Sequence, residues 1–156
     1  MIINRCVEQG IYVTLILSLQ KDHRPLRSTE LSAILEVSDS YLKKILRKLV
    51  LSDIIVSAPG KDGGFQLARP IEEISVYDVY SALEGQDCEL KLSGIGSRIF
   101  IQEKFQHGEE KVRGIFEEAN VAFLEKLRQL PLSDLSDYEY AKSGGVDFTE
   151  RIAESN

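Results

Sequence analysis

The sequence predicts a mainly α-helical protein with a small β-hairpin wing, that is, a winged helix-turn-helix followed by a long dimerisation helix. Three observations predict this fold class. Residues 28–49 contain two short amphipathic helical patterns joined by a tight turn. A glycine-rich hairpin pattern at residues 54–68 follows directly. An apolar stripe at three- and four-residue steps then runs along residues 112–130.

The first two helices are predicted from periodicity and capping. Residues 4–20 are apolar around most of the helix circumference, which is typical of a helix buried on several sides. After a polar loop, Ser28 is a suitable N-cap for a second, short helix with Glu30 in its first turn. Glu36 and Val37 then form a tight turn. Two short helices joined in this way predict a helix-turn-helix.

The next segment, SDSYLKKILRKL from Ser38 to Leu49, predicts a DNA-recognition helix. Ser38 is a suitable N-cap, and Asp39 lies at the positive end of the helix dipole. One face is an apolar stripe that consists of Leu42, Ile45, Leu46 and Leu49. The opposite face and its flanks carry hydroxyl groups and cations, from Ser40, Tyr41, Lys43, Lys44, Arg47 and Lys48. A short helix of this kind suits the DNA major groove.

A β-hairpin follows the recognition helix. Residues 54–57 and 65–68 have the β-branched, alternating character of strands, and a loop with three glycines and a proline joins them. The loop carries one cation, Lys61, and Gly63 and Gly64 have no side chains that would keep the backbone away from phosphates. This position predicts a DNA-binding wing, and the alternative is a plain hairpin turn.

The rest of the chain contains a capped helix, a loop and a long helix. Ser75 and Asp78 form a short variant of the capping box, and Gly85 ends the helix that they begin. The long helix begins near Ile99 or, more safely, near Glu109. We divide the chain into a winged helix-turn-helix domain (residues 1–85), a loop (86–98) and a dimerisation helix with its return segment (99–135). The C-terminal tail (136–156) is expected to be mobile.

The apolar stripe of the long helix needs a partner, because the winged-helix half already supplies a core of its own. The stripe residues are Val112, Ile115, Phe116, Ala119, Phe123 and Leu127. Packing within the chain is one interpretation. The interpretation we prefer is a two-fold homodimer in which this helix contacts its mate.

The net charge of −6 argues superficially against a nucleic-acid partner, but the charge is unevenly distributed. Residues 1–70 hold 10 Lys and Arg against 7 Asp and Glu, whereas residues 71–156 hold 9 against 18. Phosphate binding depends on the local patch rather than on the total. The four cations of the recognition helix form such a patch.

Other function classes find no support in the sequence. No nucleophile–base pair, metal-ligand spacing or phosphate loop indicates an enzyme. His23 and His107 are isolated, and the two cysteines, Cys6 and Cys88, are too few for a disulfide framework or a zinc site within one chain. The longest apolar run, residues 11–19, is too short to span a bilayer, and signal-peptide features are missing. We therefore expect a cytoplasmic protein with no membrane contact.

Four features occur together: the apolar first helix, Ser-x-x-Tyr-Leu-x-x-Ile-Leu-x-x-Leu in the recognition helix, Gly-Gly-Phe-x-Leu in the wing, and ARPIEEISVYDVYSALEG after it. In these features the chain resembles the bacterial winged-helix regulators that include IscR, NsrR and CymR. The resemblance implies a homodimer that binds a partly palindromic operator on double-stranded DNA. It implies phosphate contacts from Asn4, Arg5, Ser28 and Thr29. It implies major-groove contacts from Ser38, Ser40, Tyr41 and Lys44. It also implies that the wing reaches the minor groove.

Two departures from the family pattern change what the resemblance implies. Cluster-bearing members have three cysteines in the loop after the Asp-Val helix, whereas this chain has only Cys88 there. We therefore expect no iron–sulfur cluster of the family type and no other cofactor. Many members have an arginine where this chain has Pro59. Lys61 is the candidate replacement, as a point charge without a planar fork.

The sequence therefore predicts a dimeric, DNA-binding transcription regulator, with repression as the expected mode of action. The alternative is a winged-helix module that binds a protein partner through its acidic half. The sequence does not identify the signal to which the regulator responds. Cys88 is a candidate thiol sensor, a ligand-pocket residue or simply a small apolar residue, and a small molecule or a protein is the alternative effector.

Overall fold

The computed structural model describes residues 4–60, 62–85, 93, 95–100, 102–136 and 145–150. The chain forms two compact units, one built from residues 1–85 and 128–156 and the other from residues 86–127. The helices are α1 (Arg5–Leu19), α2 (Ser28–Ile34), α3 (Asp39–Leu51), α4 (Val76–Glu84), α5 (Gly96–Ile99) and α6 (Gln102–Arg128), and the strands are β1 (Ile55–Ala58) and β2 (Gly64–Leu67). Among the helices in these ranges, none is long and apolar enough to cross a membrane.

The core of the first unit lies among α1, α2, α3 and α4 and is aliphatic. Its buried side chains are Val7, Val13, Ile16, Leu17, Leu26, Leu31, Leu42, Ile45, Leu46, Leu49, Ile54, Ile55, Ile74, Val79, Leu83 and Leu132. Helices α1 and α4 approach closely because Gly10 has no side chain. A Cβ there would lie 2.5 Å from Leu83 Cδ1 and 2.9 Å from Val79 Cγ1. Helix α1 is thus packed on several sides, as its apolar circumference predicts.

Helices α2 and α3 are joined by a turn of the Schellman type, at the two residues that the sequence predicts. The Glu36 N–H donates to the Ala33 carbonyl at 3.3 Å, and the Val37 N–H donates to the Ser32 carbonyl at 3.0 Å. Glu36 adopts the left-handed conformation that this turn requires, with φ of 53°. The turn fixes the angle between the two helices because it satisfies the last carbonyls of α2.

In two helices of this unit, the third residue is acidic and its carboxylate accepts a backbone N–H at the start of the helix. In α2 the Glu30 carboxylate accepts the Arg27 N–H at 2.6 Å. The N-cap is therefore Arg27, whereas we expected Ser28. In α4 the predicted capping box is present. The Ser75 N–H donates to the Asp78 carboxylate at 2.7 Å, and the Asp78 N–H donates to the Ser75 hydroxyl at 3.2 Å.

Strands β1 and β2 form the predicted antiparallel hairpin, with Ile55 opposite Leu67. The hairpin also pairs with a third segment, which the sequence pattern does not predict. Leu26 exchanges two backbone hydrogen bonds with Phe65, at 2.7 and 3.0 Å. The wing is therefore attached to the segment that precedes α2 as well as to α3.

The chain after α6 returns to the first unit. The Val76 N–H donates to the Leu130 carbonyl at 2.9 Å, and the Leu132 N–H donates to the Ile74 carbonyl at 2.7 Å. A 3₁₀ turn, Leu132–Leu135, follows, and the Leu132 side chain is fully buried. This return segment covers the start of α4.

Residues 145–150 lie against the end of α1, whereas we expected a mobile tail. The Val146 N–H donates to the Leu19 carbonyl at 2.8 Å, and the Val146 carbonyl accepts the Lys21 N–H at 3.0 Å. Phe148 packs against the core. The expectation came from the glycine-rich, polar composition, which does not reveal a pairing partner far away in the sequence. The rest of the tail lies outside the described residues.

In the second unit, the long helix α6 begins at Gln102 and is separated from the short α5 by extended backbone at Phe100. Three residues of its predicted stripe are largely exposed in the single chain. Their exposed fractions are 45% for Val112, 65% for Ile115 and 50% for Phe116. Of the other stripe residues, Ala119 is exposed, and Phe123 and Leu127 are half-buried.

Candidate nucleic-acid interface

Helix α3 presents a polar face to solvent because its four apolar residues point into the core. Each of these four is at most 3% exposed: Leu42, Ile45, Leu46 and Leu49. The predicted contact residues of this helix are all exposed: Ser38, Ser40, Tyr41, Lys43, Lys44 and Arg47. The amphipathic pattern of the sequence thus translates directly into an apolar back and a hydrophilic front.

The start of α3 places two hydroxyl groups side by side. The Ser38 hydroxyl caps the helix by accepting the Tyr41 N–H at 3.4 Å, and it lies 3.5 Å from the Ser40 hydroxyl. The N-terminal residues of a recognition helix are those that reach base edges in helix-turn-helix proteins. Ser38, Ser40 and Tyr41 occupy these positions.

The cations of α3 are not equivalent. Lys43 Nζ lies 2.7 Å from Asp39 Oδ2, one helical turn away. This ammonium, and then the Ser28 hydroxyl, hold the pKa of Asp39 below its ordinary value. Within the described ranges Lys44 and Arg47 form no salt bridge. They are therefore the cations of this helix that a nucleic acid can engage without breaking an existing ion pair.

Lys48 flanks this front and joins α3 to the end of α4. Its ammonium donates to the Leu83 carbonyl at 2.5 Å, where the helix dipole favours a cation. At the same end of α4, the Asn4 amide donates to both carboxylate oxygens of Glu84, at 2.7 and 2.8 Å. The donors of Asn4, a predicted phosphate contact, are thus engaged within the chain, whereas Arg5 beside it is exposed.

Cys6 lies beside this cluster, and its thiol donates to Glu84 Oε1 at 3.2 Å. Burial raises the pKa of the Cys6 thiol, and the hydrogen bond and negative charge of Glu84 raise it further, against an opposite effect of Lys48. Because the thiolate is the reactive form, we expect Cys6 to react more slowly than a free thiol with oxidants and alkylating agents. Cys88, the candidate sensor, lies outside the described residues.

Contacts within the chain account for both wing glycines. A Cβ at Gly63 would overlap the carbonyl of Ala58, and a Cβ at Gly64 would lie 2.5 Å from the Leu26 carbonyl oxygen. Both positions therefore require glycine for the fold itself. Close approach of this backbone to phosphate stays a prediction, and Lys61 lies outside the described residues.

A cleft of about 350 Å³ lies between the wing and the segment before α2. It is lined by Arg24, Pro25, Arg27, Glu30, Asp62 and Gly63. Ser28 and Thr29, two predicted phosphate contacts, follow this segment, and Thr29 is exposed. The two arginines were not among the residues predicted from the sequence to contact DNA. The signal was available, because cations next to a predicted helix-turn-helix extend its basic patch.

Residues 3–138 match the model of a protein family named Rrf2, which is described as an iron-dependent transcriptional regulator. A relative from Lactococcus lactis subsp. lactis, which carries the name of an HTH-type transcriptional regulator, YffB, is 33% identical over 130 residues, or 83% of each chain. Among solved structures, CymR of B. subtilis, titled the global cysteine regulator, has a TM-score of 0.66 at 20% identity and covers 88% of this chain and 98% of its own. IscR of T. potens has a TM-score of 0.63 at 21% identity, and the match covers 86% of this chain and 85% of the IscR chain.

The family description names iron, but this chain lacks the donors for an iron cluster that is bound by three cysteines. The chain has two cysteines, and only Cys88 follows α4. Cys6 is engaged by Glu84, and its raised pKa disfavours the thiolate that binds iron. Within the part of the chain that the structure describes, no group of three or more His, Cys, Asp or Glu residues is arranged to hold a metal ion.

Sequence and fold thus agree. The similarity to CymR and IscR confirms the predicted helical fold with a winged helix. The family match extends over the helix-turn-helix, the wing and the long helix, and the family consists of transcriptional regulators rather than enzymes. The chain belongs to the Rrf2 family of transcriptional regulators, as its motifs predict.

Proposed function

We propose that the chain is a homodimeric repressor that binds a partly palindromic DNA operator, with α3 in the major groove. One observation carries this proposal: the exposed face of α3 combines the hydroxyls of Ser38 and Ser40 with Lys44 and Arg47, which form no salt bridge within the described residues. Such cations can reach phosphate or guanine without first losing a partner. A chromosomal target implies a cytoplasmic location.

The exposed stripe of α6 supports the two-fold arrangement. Val112, Ile115 and Phe116 expose about half or more of their surface in the single chain. A two-fold contact would bury the same stripe on both copies. It would also hold the two α3 helices at a fixed spacing. Two half-sites on the same face of DNA, one helical turn apart, are separated by about 34–36 Å, and the spacing of the helices must match this distance. Repression is the mode of action that we propose, since a dimer bound at an operator that overlaps a promoter would block transcription.

A mobility-shift experiment with DNA from the protein's own promoter region tests this function. We expect a retarded complex that unlabelled promoter DNA displaces more effectively than DNA of random sequence. Absence of any complex at low salt, with protein that is folded by circular dichroism, would contradict the proposal. That result would favour the alternative, a partner protein bound by the acidic half.

We further propose that Cys88 senses thiol oxidation, with a small molecule or a protein as the alternative input. In the sequence Cys88 lies four positions after Glu84, the last residue of α4, and Lys48 of the recognition helix contacts the end of α4. Diamide can accept two electrons and two protons from two thiols, for example Cys88 of each protomer, and so form a disulfide. A change at this loop could alter the spacing of the two α3 helices and release DNA.

The test compares operator binding by wild type, Cys88→Ser and Cys6→Ser after diamide and again after dithiothreitol. We expect reversible loss of binding for wild type and Cys6→Ser, and no response for Cys88→Ser. Equal responses of all three proteins, or no response from any, would show that Cys88 is not the switch.

A further inference from the structure

Arg24 lies where residues 145–150, here named the C-terminal strap, meet the cleft beside the wing. Its guanidinium donates to Thr149 Oγ1 at 3.0 Å and lies 3.9 Å from Asp147 Oδ1. On the other side it lies 3.6 Å from Glu30 Oε1. The Arg24 side chain is 44% exposed. One cation is thus shared by two carboxylates, and this group carries a net negative charge beside a surface that binding to DNA requires to be positive.

The strap is anchored on both sides of Asp147. On one side Gly145 has φ of 79°, and a Cβ there would lie 2.7 Å from the Leu19 carbonyl oxygen, so only glycine fits. Val146 then pairs with Gln20 as a parallel bridge. On the other side the Phe148 side chain packs against the core, and its N–H donates to the Gln20 side-chain oxygen at 3.3 Å.

Asp147 is ionised in this arrangement. Its carboxylate accepts the Thr149 hydroxyl at 2.6 Å and the Thr149 N–H at 3.0 Å. The hydrogen bond from the hydroxyl is the largest of the effects that hold the pKa of Asp147 below its ordinary value. The strap therefore presents a fixed negative charge towards Arg24 at neutral pH.

We propose that Arg24 is a further DNA-phosphate contact and that the C-terminal strap competes with DNA for it. The inference rests on the proposed DNA-binding function. Arg24 lines the same cleft as Gly63 of the wing. In the sequence it precedes the predicted phosphate contacts Ser28 and Thr29 by four and five residues. The strap lies outside residues 3–138, the part of the chain that matches the family model.

A phosphate that enters the cleft can replace the strap as the partner of Arg24. The ion pairs of Arg24 are long and partly exposed, and such pairs are weak and screened by salt. Hydrogen bonds between a guanidinium and a phosphate are stronger and often bidentate. The strap therefore tunes the affinity for DNA rather than preventing binding.

The test measures binding of the full chain to double-stranded DNA of random sequence over a range of salt concentrations. Asp147→Asn removes the charge that faces Arg24 and keeps the shape of the side chain. Binding at low salt should tighten by about two- to fivefold, the range that exposed ion pairs support. The matched control is Glu150→Gln, which removes the same charge from an exposed residue of the same strap.

Arg24→Gln completes the experiment, because it removes the cation and keeps an amide donor for Thr149. We expect weaker binding, a salt slope smaller by about 1, and no further effect of Asp147→Asn in this background. Equal gains from Asp147→Asn and Glu150→Gln would overturn the inference, as would a gain from Asp147→Asn that persists without Arg24.

Lys44→Ala separates this inference from the proposed function. If Lys44→Ala weakens binding and Arg24→Gln does not, only the role of Arg24 is overturned. If neither change affects binding, or wild type does not bind, the proposed function fails together with the inference. Circular dichroism verifies that each variant is folded.

Discussion

At the scale of single residues, the structure separates side chains that the sequence pattern treats as one group. The basic patch of α3 contains four cations, but Lys43 is paired with Asp39 and Lys48 contacts the end of α4. Lys44 and Arg47 remain on the exposed front. The difference depends on partners one helical turn away or on another helix, and these determine which cations are available to DNA.

We predict that Lys44→Ala and Arg47→Ala each weaken DNA binding more than Lys43→Ala does, because Asp39 already offsets the charge of Lys43. A lost phosphate contact should lower the salt slope by about 1, and a lost bidentate base contact should cost about 1–3 kcal/mol at one base pair. Fluorescence anisotropy in a salt series measures both. Unchanged affinity of the Lys44 and Arg47 variants at low salt would remove α3 from the interface.

A second residue-scale prediction concerns Cys6, whose pKa is raised by burial and by Glu84. A raised folded-state pKa contributes stability that is fully present below the unfolded thiol pKa of about 8.5 and is lost as pH rises through the folded pKa. In Cys88→Ser, where Cys6 is the remaining thiol, iodoacetamide at pH 8 should react more slowly with native than with urea-unfolded protein.

Glu84→Gln in the same background is the control for Cys6. Removal of the carboxylate charge should lower the thiol pKa and speed the reaction of the native protein. Equal rates for native and unfolded protein would contradict the assigned environment of Cys6.

At the scale of elements, the helix-turn-helix and the wing are held by turns in which one residue has a left-handed backbone conformation. Helix α3 ends like α2: Asp53 has φ of 52°, and the Ile54 N–H donates to the Leu49 carbonyl at 3.1 Å. The hairpin begins directly after this turn. Its second strand passes so close to Leu26 that position 64 accepts only glycine.

We predict that Gly64→Ala destabilises the protein by about 1–3 kcal/mol, because the added methyl group meets backbone atoms of Leu26 that cannot rotate away. The matched control is Gly108→Ala on α6, where a Cβ meets open space. That change should be neutral or stabilising by about 0.4–1 kcal/mol. Urea unfolding followed by circular dichroism measures both. Equal effects of the two substitutions would contradict the tight packing of the wing.

At the scale of the whole molecule, the chain divides its tasks between two compact units. The first unit contains the predicted DNA-contacting face, and the second contains most of the long helix with the exposed apolar stripe. The net charge does not follow this division, because residues 1–70 are net positive whereas residues 71–156, which contribute to both units, are strongly negative. The acidic remainder limits nonspecific attraction to polyanions and leaves the basic patch for the target.

The dimer prediction belongs to this scale. Phe116→Asp should convert the dimer to a monomer, because it would place an unpaired carboxylate in an apolar seam. Val121→Asp is the control, since Val121 is 55% exposed but lies outside the predicted stripe. Light scattering at micromolar concentration measures the mass. A monomeric wild type, or dissociation by both variants, would contradict the proposed interface.

The sequence by itself determined the local features of this protein. The 3.6-residue period fixed the buried and exposed faces of α3, and short-range hydrogen bonding fixed the turn at Glu36 and Val37 and the capping box of Ser75 and Asp78. These features involve residues within a few positions of each other, so composition and spacing are enough. The hairpin was also predictable, because proline fixes φ and glycine permits the left-handed conformations that a tight turn requires.

Only the tertiary structure decided the contacts between distant segments. The pairing of Leu26 with Phe65, the bond from Lys48 to Leu83 and the strap across Arg24 join residues far apart in the chain. No periodicity encodes such pairs, since each depends on how helices and strands meet once their apolar faces are buried. For this reason the sequence predicted which face of α3 is exposed, but not which of its cations are already engaged.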